Sequence, residues 1–164
     1  MFSHLNKDGQ PGMVDVGQKA VSRRTAHARC TLELPKILAD ALRAGGLQTK
    51  KGPLVATAII AGVMAAKNTP GLIPLCHPIP LDDCKISIEQ NADGNLQINA
   101  IVVANYRTGV EMEALTAVSV AALTVYDMCK SVTKGIVIRD TRLIEKRGGK
   151  SDFTSSNSNE KTDE

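Results

Sequence analysis

Aromatic side chains are scarce in this chain of 164 residues, which has no Trp, two Phe and two Tyr. Phe2 and Phe153 lie near the two ends, which leaves Tyr106 and Tyr126 for the central part. RNA-binding sheets stack bases on aromatic residues of their strands, and the strand-like run LQINAIVVANYR provides Tyr106 alone. The sequence therefore argues against an RNA-binding module, and a planar ligand must be held mainly by polar and aliphatic groups.

Paired cysteines and long apolar runs are also missing. The cysteines are widely spaced and include no CxxC pair, which excludes the usual zinc-ribbon and thioredoxin-type motifs. No apolar run approaches the roughly 20 residues of a membrane span, and the first residues contain no signal-peptide apolar segment. We therefore expect reduced thiols, no metal site, no membrane contact and a cytoplasmic location. The four cysteines are Cys30, Cys76, Cys84 and Cys129.

The remaining composition is typical of a globular domain, with 43% apolar and 23% charged residues. Residues 1–12 and 151–164 are polar and are predicted to be flexible, so residues 13–150 form a single domain. The net charge is +3, and the acidic segment after residue 150 hides a larger positive excess in the domain. This excess suits an anionic ligand such as a nucleotide and is weak evidence for nucleic acid, which we do not expect as a partner.

Periodicity and helix breakers predict the order of secondary structure. Alternating apolar residues from Ala28 to Leu34 are typical of a half-buried strand, and Pro35 and Pro53 each open a helical run. Asp93–Gly94 predicts a hairpin between two further strands. The predicted order is strand, helix, helix, strand, strand, helix, strand. We therefore predict an α+β fold, a ferredoxin-like sandwich whose four-stranded antiparallel sheet packs on helices.

The run from Gly109 to Lys130, GVEMEALTAVSVAALTVYDMCK, has ionisable groups only at its ends. As a helix it would separate Glu111 from Asp127 by roughly 24 Å, so the two cannot share one small-molecule pocket within a subunit. Its middle has no polar face and must be covered on all sides. A chain of this length has a modest core, so we predict a homo-oligomer with sites at subunit interfaces.

Both ends of this helix allow a structural and a functional interpretation. Thr108 and Glu111 have the spacing of a capping box, and Glu113 in the same turn favours the helix dipole. The alternative is that the acids accept hydrogen bonds from a guanine-like or pterin-like ring. Asp127 and Lys130 form either a surface ion pair or a partly desolvated pair, in which a lysine closer to neutrality exchanges protons.

Two further segments suit ligand binding. His77 lies between Pro74, Pro78 and Pro80 in a stiff loop, which fixes its imidazole near a ligand or leaves it as polar surface. The run KRGGKS from Lys146 to Ser151 combines cations with glycine-rich backbone, which is suited to phosphate oxygens. It is equally well interpreted as a basic, flexible exit from the last strand, and it lacks the first glycine of a Walker A motif.

Several of these motifs together resemble a known family. They are MVDV at 13–16, KG at 51–52, LIPLCHP at 72–78, the run at 109–130 and the KRGGKS end. They closely resemble molybdenum cofactor biosynthesis protein C, the cyclic pyranopterin monophosphate synthase family, over about residues 13–151. The resemblance implies a lyase that converts 3′,8-cyclo-7,8-dihydroguanosine 5′-triphosphate to cyclic pyranopterin monophosphate and pyrophosphate. It also implies a hexamer built as a trimer of dimers, and a reaction that needs no redox cofactor.

The resemblance also implies roles for individual residues. Asp127 and Lys130 would be the central catalytic pair, with Lys51 and Lys146 as further acid-base or phosphate-contacting lysines. Arg24 would contact the triphosphate, although Arg23 and Lys50 are neighbouring alternatives to Arg24 and Lys51. The residues that would line the substrate site are Leu75, Cys76, His77, Glu111, Met112 and Glu113. A different class of function stays open at this point, namely a non-catalytic nucleotide-binding oligomer in which the basic groups only hold phosphate.

Overall fold

The structure is a computed structural model that describes residues 9–45 and 48–155. Its main elements follow the predicted order, with short additional ones between them. The strands are β1 Ser22–Glu33, β2 Gln48–Thr49, β3 Gly52–Pro53, β4 Asp83–Gln90, β5 Leu96–Tyr106, β6 Val137–Arg147 and β7 Phe153–Thr154. The helices are α1 Lys36–Ala44, α2 Leu54–Lys67, α3 Thr69–Leu72 and α4 Glu111–Cys129. Helix α2 begins directly after Pro53, where a helical run was predicted to open, and the α+β class is confirmed.

The main sheet has five strands in the order β4-β5-β1-β6-β7, and all neighbours are antiparallel. The prediction of four strands was wrong, because β7 pairs with the end of β6 through Glu145↔Thr154 and Lys146↔Phe153. A two-residue strand has no periodicity that a sequence pattern can detect. The start of the segment predicted to be a flexible tail therefore belongs to the sheet, whereas residues 156–164 and 1–8 lie outside the described residues.

One face of the sheet carries the core. Alternate residues of β1, namely Ala26, Ala28, Cys30 and Leu32, are fully buried, as their period of two requires. Helices α2 and α4 pack against each other, with α4 over β1, β5 and β6 and α2 over β4. The opposite face is polar, and the amide oxygen of Asn99 accepts hydrogen bonds there from His27 and Arg29.

Helix α4 is the central element of this packing. By length and composition alone it could cross a membrane, but the buried core helix of a folded domain passes the same test. Half of its apolar stretch is buried inside the protein, including Ala117, Ala121 and Val125, and Ala121 lies beside Gly62 of α2. The helix therefore serves as the core of an α+β domain in this structure.

Candidate active site

An apolar pocket with a volume of about 420 Å³ lies beside the N-terminal end of α4. Three parts of the chain form it: the segment before β1, the loop after α3 and the first turn of α4. His77 is tied to the first of these, because its Nε2 donates a hydrogen bond of 2.9 Å to the carbonyl oxygen of Val14. The remaining wall residues include Val16, Ile73, Leu75, Cys76, Met112 and Glu113. All six residues that the family resemblance assigns to the substrate site, including Glu111, line this one pocket.

Glu113 is the buried acid of the apolar pocket, with 3% of its surface exposed. Burial raises the pKa of its carboxyl to about 7, a backbone hydrogen bond partly opposes this, and the neighbouring charge of Glu111 adds to it. Burial also raises the pKa of the Cys76 thiol, and the charge of Glu113 adds to this to a smaller extent. The pocket therefore presents, near neutral pH, an acid that can either donate or accept a hydrogen bond.

A second, basic pocket of about 270 Å³ adjoins the apolar one, and the two share Lys19, Thr108, Gly109 and Glu111. One acid, Glu111, lines the basic pocket, against six cations. The cations are Lys19, Arg24, Arg107, Lys146, Arg147 and Lys150. Such a concentration of ammonium and guanidinium groups around a small space favours a polyanion such as a phosphate chain.

Glu111 pairs with Lys146, whose Nζ lies 3.3 Å from the Glu111 carboxylate. This contact replaces the capping box, because α4 begins after Val110 and no side chain caps it. The capping interpretation was therefore wrong for a reason that sequence spacing cannot reveal: the pairing of β1 with β6 carries Lys146 to the start of α4. Gly109 allows the arrangement, since a Cβ there would collide with the Glu111 side chain.

Arg24 rather than Arg23 lines the basic pocket. The guanidinium of Arg24 donates hydrogen bonds to the carbonyl oxygens of Tyr106 and Arg107. The KRGGKS run closes the pocket on the other side. At Gly148 the backbone has φ +85°, and a Cβ would collide with the carbonyl of Arg23, so this run can pack directly on β1 only with glycine there.

A third group of charges, the lysine cluster of Lys51, Asp127 and Lys130, lies at the C-terminal end of α4. Each carboxylate oxygen of Asp127 is 2.7 Å from one lysine Nζ, with Oδ2 facing Lys51 and Oδ1 facing Lys130. The Lys51 Nζ also donates to the carbonyl oxygen of Asp127, at 2.8 Å. Lys51 is thus the lysine of the Lys50–Lys51 pair that contacts Asp127, and the loop before α2 positions it.

The lysine cluster is open to water, and this sets its protonation. Hydrogen bonds from Lys130 and then Lys51 lower the pKa of Asp127 to about 2, and the same pairing raises the pKa of Lys130. Of the two alternatives, the single chain shows the surface ion pair at Asp127 and Lys130 rather than the partly desolvated pair. About half of each side chain is exposed, so there is little desolvation to oppose the attraction of the aspartate.

The structure brings the predicted residues together in two groups, at opposite ends of α4. Two cations of the pockets, Lys19 and Arg107, were given no role by the sequence patterns, and Arg147 and Lys150 were included only as members of the KRGGKS run. Lys150 lay within the KRGGKS run, and Lys19 follows MVDV by three residues, but neither position has a spacing that distinguishes it from a surface lysine. Within residues 9–45 and 48–155 there is no group of three or more His, Cys, Asp or Glu side chains placed to hold a metal ion.

The fold and the site together define a class of protein: an α+β domain in which an apolar pocket adjoins a basic one, a combination that suits a small phosphorylated molecule, with a separate group of two lysines and an aspartate. Comparison with known proteins gives the particular family. The chain belongs to the MoaC family, whose sequence profile it matches over residues 13–149.

Individual relatives agree with this assignment. The chain is 51% identical over 152 residues to the cyclic pyranopterin monophosphate synthase of Xanthomonas oryzae, covering 93% of this chain and 92% of that protein. It is 50% identical over 153 residues to the synthase of Lysinibacillus sphaericus, covering 92% and 94%. A molybdenum cofactor biosynthesis bifunctional protein of Synechocystis is 51% identical over 158 residues, but the chain spans only 46% of its length.

Proposed function

We propose that this chain is a cyclic pyranopterin monophosphate synthase of molybdenum cofactor biosynthesis, a lyase. It converts 3′,8-cyclo-7,8-dihydroguanosine 5′-triphosphate to cyclic pyranopterin monophosphate and pyrophosphate. The observation that carries the proposal is the union of an apolar, acid-containing pocket with a basic pocket at one end of α4. This is the shape and charge that a guanine-derived ring joined to a triphosphate requires. Near-full-length relatives at 50–51% identity that bear this name support it.

In this proposal the apolar pocket binds the ring system. The N–H edge of a guanine-derived ring offers hydrogen-bond donors, and Glu111 and Glu113 are the acceptors beside it. Met112 and Leu75 supply apolar contact in place of aromatic residues. Cys76 and His77 complete the wall, and the pocket contains neither of the two tyrosines.

The basic pocket binds the triphosphate. Arg24 and Lys146 line this pocket. Because Lys146 also pairs with Glu111 of the ring site, its ammonium group lies where the ring and phosphate parts of the substrate would meet. When a sugar-derived hydroxyl attacks the α-phosphorus, these cations stabilise the charge that develops on the phosphate oxygens and on pyrophosphate.

The lysine cluster supplies the proton transfers of the ring rearrangement, which are repeated and involve no oxidation or reduction. Asp127 holds Lys51 and Lys130 at fixed positions, 2.7 Å from its carboxylate. The pockets at one end of α4 and this cluster at the other are separated by about 16 residues of helix, or roughly 24 Å. We therefore propose that each active site combines the pockets of one subunit with the lysine cluster of another.

Assembly into an oligomer would also change the protonation of the lysine cluster. In the single chain these side chains are half exposed, and Ile60, Met64 and Leu123 leave an apolar surface uncovered on α2 and α4. We propose a homo-oligomer, a hexamer formed as a trimer of dimers. Its subunit contacts would cover this apolar surface and place the lysine cluster of one subunit in the pockets of another. Removal of water disfavours the charged form of a lysine, which brings its pKa toward the range useful for proton exchange.

The strand order also supports a proposal for the fold type. With the two-residue strands and α3 set aside, α1 and α2 form the first helical connection. The order along the chain is then βαββαβ, and the four long strands lie in the order β4-β5-β1-β6. This is the arrangement of the ferredoxin-like sandwich, which we propose as the fold type, in a cytoplasmic protein.

Turnover of the cyclic triphosphate tests the function. The purified chain should release stoichiometric pyrophosphate and form cyclic pyranopterin monophosphate, which mass spectrometry identifies. Asp127→Ala should bind the substrate with nearly unchanged affinity and turn it over at a small fraction of the wild-type rate. Tight binding by the wild-type chain without any turnover would instead support a non-catalytic nucleotide-binding oligomer.

A further inference from the structure

We propose that Thr49 is a positioning residue for the reaction, because its hydroxyl fixes the turn that holds Lys51 against Asp127. The inference rests on the proposed function, in which the lysine cluster transfers protons. It adds a residue that belongs neither to the cluster nor to the apolar and basic pockets. Its basis is the pair of hydrogen bonds that the Thr49 hydroxyl makes to the backbone before and after Lys51.

Lys51 lies in a short hairpin. Strands β2 and β3 have two residues each, and Lys50 and Lys51 form the turn between the paired residues Thr49 and Gly52. The hairpin is a two-stranded sheet of its own, separate from the five-stranded sheet. Isolated two-stranded hairpins are at most marginally stable in water, so the shape of this one depends on further bonds.

The Thr49 hydroxyl supplies two such bonds. It donates to the carbonyl oxygen of Gly52 at 3.0 Å and accepts from the backbone N–H of Lys51 at 3.2 Å. Gly52 has φ +112°, a conformation that residues with a Cβ rarely adopt, and this bend brings its carbonyl back to Thr49. One side chain therefore ties the backbone on both sides of the Lys51 side chain.

The turn carries the ammonium group of Lys51 to the last turn of α4. Its Nζ donates to the carboxylate of Asp127 at 2.7 Å and to the carbonyl oxygen of the same residue at 2.8 Å. The Lys51 side chain is 48% exposed, so burial does little to hold it. A lysine side chain is long and flexible, and the place of its Nζ depends on where the backbone begins. Thr49 fixes that backbone end, and Asp127 fixes the ammonium end.

Proton transfer is sensitive to this kind of positioning. The two heavy atoms must come within about 2.6 to 3.2 Å of each other, and a displacement of about 1 Å can lower a rate a hundredfold. The Thr49 hydroxyl bonds to the backbone alone, so it acts through Lys51 and not on the substrate. Its loss should therefore lower kcat and leave substrate binding, which we assign to the other end of α4, nearly unchanged.

Turnover of the cyclic triphosphate tests this expectation. Thr49→Val keeps the branched shape and removes the hydroxyl, and it should lower kcat about tenfold with KM within about twofold of wild type. Thr49→Ser keeps the hydroxyl and should restore most of the rate, whereas Thr49→Ala should resemble Thr49→Val. The matched control is Thr57→Val, which removes an α2 hydroxyl that donates to the carbonyl of Pro53 and should leave kcat unchanged. Wild-type kcat in Thr49→Val, or no recovery in Thr49→Ser, would overturn the proposal.

A double-mutant cycle tests whether Thr49 acts through Lys51. Once Lys51→Ala has removed the ammonium group, adding Thr49→Val should lower kcat no further, because the two changes disable the same contact. A further tenfold fall in the double variant would show that the hydroxyl serves something other than Lys51, and the proposal would be lost.

Two measurements by NMR are independent of turnover. Hydrogen bonds from Lys130 and, second, from Lys51 lower the pKa of Asp127 to about 2. Thr49→Val should therefore raise the pKa of the Asp127 carboxyl and speed amide exchange at Lys51, and Thr57→Val should do neither. Unchanged titration and exchange in Thr49→Val would overturn the role of Thr49 even in an active enzyme. If both change but the wild type does not convert the cyclic triphosphate, the proposed function is wrong and the link from Thr49 to Lys51 stands.

Discussion

The two ends of α4 place acids in opposite environments. At the N-terminal end Glu113 is 3% exposed, and burial raises its pKa to about 7. At the C-terminal end the Asp127 side chain is 55% exposed, and hydrogen bonds from Lys130 and Lys51 lower its pKa to about 2. At the first end the buried acid lies in a pocket formed by one chain, whereas at the second end the three charged side chains of the lysine cluster are about half exposed. This difference is the reason for the proposal that α4 carries a binding site at one end and, at the other, a reactive group that is completed by a partner's pocket.

The largest effect should come from Asp127→Asn, which removes the charge that holds both lysines. We expect kcat to fall by about a thousandfold, because positioned acid-base groups contribute factors of about 10² to 10⁴. Substrate affinity should change little, since the ring and phosphate contacts lie at the other end of the helix. Stopped-flow turnover and calorimetry measure the two quantities, and Asp40→Asn, on the surface of α1, is the matched control. A large loss of affinity with unchanged kcat would contradict this division of roles.

The contrast between the ends also shows what the sequence can and cannot reveal. The long elements were predictable because apolar periodicity, Pro53 and the Asp93–Gly94 turn are local signals. The charged ends of α4 were visible for the same reason. Local spacing could not show that Lys146 would reach Glu111, because that contact depends on the pairing of Ala26 with Lys146 across β1 and β6.

Local sequence patterns also did not reveal which charged side chains are buried. Asp127 and Lys130 follow an apolar helix, which suggested desolvation, yet the helix ends at the surface of the chain. Glu113 lies two residues from Glu111 and has the same side chain, but it faces the core side of the pocket. Lys19 had no signal at all, since an exposed lysine in a turn acquires significance only from the pockets beside it.

Mixed oligomers test directly whether one site uses the two ends from different chains. Lys146→Ala disables the pocket end and Asp127→Asn the cluster end, so each homo-oligomer should be nearly inactive. If a site takes its pockets from one subunit and its cluster from another, random co-assembly restores about a quarter of the sites. Activity after co-refolding at equal amounts measures this recovery. The matched control mixes Asp127→Asn with Lys51→Ala, which disable the same end, and recovery there would contradict the model of shared sites.

A third prediction uses the raised pKa of Glu113. Between its ordinary value of 4.5 and the folded value of about 7, the folded state holds a proton that the unfolded state has released. Stability must therefore fall as the pH rises through this window, by about 3 kcal/mol in total, and level off above it. Urea unfolding at fixed protein concentration measures the trend. Glu113→Gln should remove this part of the pH dependence, whereas Glu89→Gln, on the exposed side of β4, should retain it. Identical pH profiles for wild type and Glu113→Gln would contradict the assigned burial cost.

The smallest effect concerns how the pocket end is kept closed. His77→Ala removes the hydrogen bond to the carbonyl of Val14, so the segment that forms one wall of the apolar pocket should loosen. We expect KM to rise by about tenfold with a smaller change in kcat, the size of one lost hydrogen bond. His77→Asn, whose amide can still donate to Val14, should restore part of the affinity. His27→Ala is the matched control, because His27 donates to Asn99 on the opposite face of the sheet. Amide hydrogen exchange at residues 14–19 should accelerate in His77→Ala alone, and unchanged exchange with a raised KM would mean that His77 acts on the substrate itself rather than through this segment.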